Sequence, residues 1–289
     1  QGDGATVITV DALVEGVHFL PSDPVESVAR KLVRVNVSDI YAAGALPSEA
    51  VLTLGWPDGR PEADLAGFAR ALGEELDAFG AKLIGGDTVR QPGGLFLSLT
   101  LTGTCLGETP VRRLGAMPGQ DVWVTGQIGA ACLGYETIQR GEMAAPFATA
   151  YRVPPLPPAA AAGIIARHAY AAMDISDGLL GDASSLAAAS EIGLQIALEK
   201  VPFASEVQNL DDMLRLATWG DDYQLLFTAE KTRREKILKE AGASAVPVVL
   251  IGETRSGWGL EVTFRDSAVN LPETLGFEHG GTGSGLTRP

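Results

Sequence analysis

Hydrophobic and polar positions along the chain follow two periods, and each period marks a kind of element. Short β-branched or apolar runs at 6–10, 51–54, 121–126, 194–198, 246–251 and 260–264 predict strands, and 95–105 alternates Leu with Ser and Thr as a half-exposed strand does. Helical spacing recurs over 24–45, through Val25, Val28, Leu32, Val35, Ile40 and Ala43, with Pro24 suited to the helix start. Over 61–79 the stripe Leu65, Phe68, Ala69, Leu72, Leu76 and Phe79 is one apolar helix face, read as core. Further helices are expected at 129–140, around Ile164 and Ile165, after Leu179, at 211–217 and, as a charged surface helix, at 231–241. The Pro- and Ala-rich stretch 143–158 reads as a connecting loop and the glycine-rich 280–285 as a flexible tail.

Strands and long helices mix in both halves, which predicts an α/β (α+β) chain. The break Gly115-Ala116-Met117-Pro118-Gly119-Gln120 places a boundary between two expected domains, 1–118 and 119–289. No short repeat is visible.

Composition narrows the chemistry. With 289 residues and 46% apolar content the chain is long and hydrophobic enough for real cores. Its net charge of −14 argues against nucleic-acid or anionic-membrane partners, which need Lys and Arg. It does not argue against a phosphate ligand, because Mg²⁺ bridges carboxylates to phosphates. The two cysteines, Cys105 and Cys132, are expected to be buried, reduced thiols, with no zinc spacing. No apolar run reaches membrane-spanning length; the richest, 159–172, is broken by Arg167 and His168. The chain opens on Gln1, and a cytoplasmic setting is expected.

Within this frame the acidic residues stand out by position. Ala172-Met173-Asp174-Ile175-Ser176-Asp177-Gly178-Leu179 reads as a buried strand ending in a tight acidic turn before a helix. Two carboxylates flank one hydroxyl there, and burying like charges is costly unless a cation joins them; a hard divalent ion with oxygen ligands suits the site. A helix N-cap accounts for the same residues equally well. Trp219-Gly220-Asp221-Asp222-Tyr223-Gln224 forms a second acidic turn leading into a strand. Asn36 and Asp39 share a face of an otherwise apolar helix, where a salt bridge to Lys31 or Arg34 is the plainer alternative. Lys82-Leu83-Ile84-Gly85-Gly86-Asp87-Thr88 reads as a strand entering a double-glycine turn, fit to approach a phosphate or to make an ordinary hairpin. Asp3 sits in a glycine turn, Asp11 ends the first strand, and His18 is either a partly buried hairpin residue or a functional one. No Walker A motif, kinase glycine loop, nucleophile elbow or Cys/His cluster is present. Metal-assisted phosphoryl transfer remains, with Arg113 a candidate cationic contact to phosphate.

The stretches Val10-Asp11-Ala12-Leu13-Val14-Glu15-Gly16-Val17-His18-Phe19, Asn36-Val37-Ser38-Asp39, Gly85-Gly86-Asp87-Thr88, Asp174-Ile175-Ser176-Asp177-Gly178-Leu179 and Gly220-Asp221-Asp222-Tyr223-Gln224-Leu225-Leu226-Phe227 occur in that order. Together they resemble the thiamine-monophosphate kinase family of the AIR-synthase-like superfamily, over nearly the whole chain. The resemblance implies ATP-dependent phosphorylation of thiamine monophosphate to thiamine diphosphate by direct in-line transfer. It implies Mg²⁺ held by Asp3, Asp11, Asp39, Asp87, Asp174 and Asp177, with Thr9 adding a contact and Val10 only its carbonyl. Asp87 and Asp177 would be central to catalysis. Gly86, Asp87, Arg113 and Ser176 would meet ATP, and His18, Asp221 and Phe277 the substrate. The implied fold is a two-domain homodimer in which the N-terminal sheets pair into a β-barrel beside C-terminal α/β domains.

The chain departs from that pattern at Gly4, where a second aspartate is usual, at Val10, where Thr is usual, and at Asp221, where Glu is common. The segment between Asp3 and Asp11 is also short, as missing residues or a truncated N-terminus would make it. The alternatives are another ATP-dependent synthetase or maturation enzyme of the superfamily, or a non-catalytic acidic protein that stores divalent cations. The second is disfavoured because these acids follow apolar strands and glycine turns.

Overall fold

The computed structural model describes residues 4–142 and 146–277. Its centre is α1 (Val25–Ala42), of whose 18 residues 13 are buried. A helix buried almost all round must be covered on every side. One side is a four-stranded sheet, β1 (Thr6–Val14), β2 (Ala45–Pro57), β3 (Lys82–Gln91) and β4 (Phe96–Cys105), in the order β1-β4-β2-β3. α2 (Glu62–Ala78) packs beside α1. The other side is the C-terminal half, through α5 (Ala160–His168), β6 (Ala171–Asp174) and β8 (Leu225–Ala229). Leu32 and Ile40 of α1 therefore share one core cluster with Trp123, Ile164 and Phe227.

The C-terminal half is a seven-stranded mixed sheet, completed by β5 (Asp121–Thr125), β7 (Gly193–Ala197), β9 (Val248–Arg255), β10 (Gly259–Phe264) and β11 (Ser267–Ala268), ordered β11-β10-β7-β9-β5-β8-β6. β5, β6 and β8 are buried at every position. Their residues alternate between two cores: Trp123 and Phe227 face α1 and stack at 6.3 Å, while Val122, Val124 and Leu226 face α6 (Leu179–Ser190) and α7 (Leu210–Trp219). Strands buried on both faces read as continuous apolar runs, as these do. α3 (Ala130–Gln139), α4 (Pro146–Arg152) and α8 (Arg234–Ala243) complete the helices.

Several expectations are corrected. The first helix stops at Ala42, short of Ala45, because Gly44 turns left-handed at φ +69° and a Cβ there would lie 3.0 Å from the Ala166 backbone. Gly85-Gly86 makes no turn: β3 continues through Asp87 to Gln91, paired in parallel with β2. Gly86 is required there because a Cβ would meet the Leu52 carbonyl oxygen at 2.2 Å. The stretch read as a loop at 143–158 contains α4, since Pro154, Pro155, Pro157 and Pro158 all follow the helix. Asp3 and the tail at 280–285 lie outside the described residues.

Cys105 and Cys132 are buried free thiols, as expected, and burial pushes Cys132 up to about 12. Among the described residues no helix is long and apolar enough to cross a membrane.

Candidate active site

Three elements converge on one cavity of about 560 Å³, within the size range of small-molecule sites. β1 contributes Val10 and Asp11, α1 contributes Val35 and Asp39, and the end of β6 contributes Asp174 with Ser176 and Asp177 of the turn behind it. Period-two alternation puts Thr9 and Asp11 on the face of β1 turned toward α1 and leaves Val10 exposed.

Hydrogen bonds fix these groups. The Thr9 hydroxyl donates to Asp39 Oδ2 at 2.5 Å, and the Ser38 hydroxyl lies 2.6 Å from Asp174 Oδ2. The salt bridges considered for Asp39 do not form: Lys31 pairs with Asp221, and Arg34 with Glu75. The N-cap reading of the Asp174 turn also fails. Gly178 takes the cap position of α6 without a side-chain hydrogen bond, and Asp182, one turn into the helix, accepts the Asp177 N–H at 3.0 Å.

Electrostatics single out the cluster. Burial, then the charge of Asp39, raises Asp11 from 3.8 to about 7. Burial raises Asp39, opposed in part by the Thr9 hydrogen bond and the Arg113 guanidinium. Burial and the charge of Asp39 raise Asp174 well above the usual range. Carboxylates that hold protons this tightly are short of positive charge. Asp182 is raised to about 7, by burial and then by Asp177.

The two acidic turns are fastened to each other beyond the β6–β8 pairing. The Asp221 N–H donates to the Ser176 carbonyl and the Tyr223 N–H to the Ile175 carbonyl, both at 2.8 Å. Asp222 acts locally, with both its oxygens 2.9 Å from the Gly129 N–H, just ahead of α3. Phe277 lines the cavity, and its N–H donates to the Asp177 carbonyl at 2.8 Å. His18 lines it too; its Nδ1 accepts the Val14 N–H at 3.1 Å, so the neutral ring carries its proton on Nε2. Arg113 supplies a cation to the lining.

Asp11, Asp39, Asp174, Asp177, Ser176, Arg113, His18, Val10 and Phe277 thus meet at one cavity, with Thr9 bonded to it through Asp39. Asp221 sits behind the wall in a buried ion pair with Lys31, and Tyr223 lines the cavity in front of it. Gly86 and Asp87 do not line it: they lie exposed on β3, the sheet edge opposite β1. Ser38, Tyr223 and Asp182 join the site without having been marked by residue type or spacing in the sequence. The first two lie inside the motifs named above, whereas Asp182 lies outside them, one turn into α6.

The carboxylates of Asp11, Asp39, Asp174 and Asp177, with the Ser176 hydroxyl, give the cavity oxygen donors, which suits a hard divalent cation. Among the described residues, however, no three His, Cys, Asp or Glu side chains already form a metal cage.

Comparison with known proteins agrees with the geometry. Residues 1–108 match the family model of the AIR synthase related protein, N-terminal domain, and 117–265 that of its C-terminal domain. The chain is 38% identical to thiamine-monophosphate kinase of Caulobacter vibrioides, over 95% of this chain and 80% of that one. The crystal structure of thiamine-monophosphate kinase from Stenotrophomonas maltophilia superposes with a TM-score of 0.82 at 32% identity, covering 91% and 86% of the two chains. A structure of AaThiL complexed with AMPPCP and TMP superposes with a TM-score of 0.81 at 29% identity, covering 95% and 87%. The chain, a mixed α/β protein of two AIR-synthase-like halves, belongs to the thiamine-monophosphate kinase family.

Proposed function

We propose that the cavity between the two acidic turns and β1 is where this chain carries out ATP-dependent phosphorylation of thiamine monophosphate to thiamine diphosphate. The observation that carries the reading is the convergence of Asp11, Asp39, Asp174 and Asp177 with Arg113 on one cavity. The acceptor is a phosphate oxygen already ionised near neutral pH, so no strong general base is needed. What the chain must supply is alignment of two anions that repel each other, and of the acidic wall that repels both.

Mg²⁺ when bound would neutralise that charge; Asp11, Asp39, Asp174 and Asp177 would hold it, with Thr9 and the Val10 carbonyl beside them. Asp3 and Asp87 join this set by family resemblance. Ser176 and Arg113 would contact ATP phosphates, Arg113 through a planar fork of donors that carboxylates cannot offer. His18, through Nε2, and the Phe277 ring would receive thiamine monophosphate, with Asp221 behind them.

A homodimer would complete the site. Ile8 and Val10 of β1, Val51 of β2, and Leu83, Ile84 and Val89 of β3 are exposed apolar residues on one sheet. A patch of this kind marks an interface. A second copy laid on it would close the two sheets into a barrel and bury Gly86 and Asp87 at the junction, where they would serve ATP. The expected division at 118/119 separates this dimerising half from the α/β half. The reaction is placed in the cytoplasm, where ATP is available.

The test is incubation of the folded protein with ATP, Mg²⁺ and thiamine monophosphate, followed by chromatography. Thiamine diphosphate is expected; its absence with protein that is folded and dimeric refutes the assignment.

A further inference from the structure

The side chain of Lys31 is 2% exposed and that of Asp221 3%. The Lys31 ammonium donates to Asp221 Oδ2 at 3.0 Å and to the His18 carbonyl at 2.9 Å, and lies 4.7 Å from the centre of the Tyr151 ring. The other Asp221 oxygen accepts the Tyr223 hydroxyl at 3.0 Å. One ammonium on α1 thus joins the loop between β1 and α1, the turn at 220–224 and helix α4. The loop belongs to the N-terminal half of the chain and the other two to the C-terminal half.

Packing alone does not account for this arrangement. A buried ion pair loses its hydration, and apolar side chains of equal volume usually pack as well or better. What the pair adds is direction, because the ammonium donors are aimed at two fixed acceptors. The turn they meet is strained: Asp221 and Tyr223 both hold left-handed backbones, at φ 60° and 49°. His18 and Tyr223, on either side of the pair, both line the cavity.

We infer that Lys31 is a positioning residue for the substrate end of the cavity, holding the His18 loop and the Asp221 turn, one from each half of the chain, at a fixed separation. Its kinetic consequence rests on the phosphoryl-transfer reading, while the holding itself does not. Asp221 then acts on thiamine monophosphate through the alignment of Tyr223 and the His18 loop, in place of the direct contact that the family resemblance implies.

The test uses the full chain with Lys31→Met and with the double variant Lys31→Met/Asp221→Asn, which removes both buried charges. By amide hydrogen exchange, residues 14–19 and 219–224 are expected to lose protection together in Lys31→Met, by on the order of tenfold, while β4 and β8 keep theirs. KM for thiamine monophosphate should rise about tenfold and KM for ATP less than about twofold. The double variant should regain most of the thermal midpoint yet keep the raised KM. If Lys31→Met alone does not fold, the double variant carries both measurements. Unchanged exchange in the two segments overturns the inference, as does a KM that recovers together with the midpoint. A folded wild-type chain that makes no thiamine diphosphate refutes the reaction instead, and the exchange comparison still decides the role of Lys31.

Discussion

The Thr9 hydroxyl lies 2.5 Å from Asp39 Oδ2, so one hydrogen bond ties the outer strand of the first sheet to the central helix at the wall of the cavity. It is also the strongest interaction holding Asp39 toward its charged form. Thr9→Val should leave that carboxylate without its donor, at a cost of about 1–3 kcal/mol in stability and a loss of turnover. Thr9→Ser keeps the hydroxyl and should retain most of both. Thermal unfolding and steady-state rates of the two variants check this; equal behaviour of Val and Ser would contradict it.

The acidic cluster makes stability depend on pH in a defined direction. Asp11 titrates at about 7 in the fold against 3.8 ordinarily, and Asp39 and Asp174 are raised as well. The folded state therefore binds these protons more tightly than the unfolded chain. For Asp11 that contribution is fully present below 3.8 and is lost as pH rises through about 7; Asp39 and Asp174 act in the same direction. Without divalent ions the thermal midpoint should fall between about pH 5 and about pH 8, and Asp11→Asn should flatten that slope. Added Mg²⁺ at the upper pH should restore the midpoint of the wild type. A slope unchanged in Asp11→Asn would show that another group controls it.

Asp87 and Asp177 differ in placement but are expected to share an outcome. Asp87 is exposed on β3, so Asp87→Asn should leave the thermal midpoint unchanged, and Asp177→Asn should leave the fold largely intact. Both should reduce kcat by at least about a hundredfold if they hold the transferring phosphates. Val89→Lys, on the exposed face that it shares with Val51 and Val10, should separate a dimer and lose activity with it; sedimentation gives the mass. Normal rates in both aspartate variants would remove these residues from the site.

Gly276 is held against the acidic turn. A Cβ there would lie 2.6 Å from the Asp177 carbonyl oxygen, the same oxygen that accepts the Phe277 N–H at 2.8 Å. Gly276→Ala should push Phe277 out of line and raise KM for thiamine monophosphate about five- to twentyfold, with little change in KM for ATP. Unchanged kinetics would show that Phe277 does not seat the substrate.

Much of the layout is written in the sequence, because periodicity and the acidic turns are local signals. The stripe of α2, the strand at Asp174 and the helix after Leu179 follow from residue spacing alone. The long-range partners do not. Lys31 and Asp39 lie on one helix but two turns apart, so spacing along the chain names no partner for either; tertiary packing pairs Lys31 with Asp221, 190 residues away. The Gly85-Gly86 pair has the composition of a turn, but the close approach of β2 is what demands glycine. The helix at Pro146–Arg152 is masked in the sequence by the prolines that follow it.

The reaction assigned to this cavity is transfer of a phosphoryl group from ATP onto the phosphate of thiamine monophosphate. Phosphorus NMR of the purified protein with both substrates and Mg²⁺ follows it directly. The monophosphate resonance should be replaced by the two coupled resonances of thiamine diphosphate, in step with ADP. ADP accumulating with free inorganic phosphate, while thiamine monophosphate stays unchanged, would contradict it.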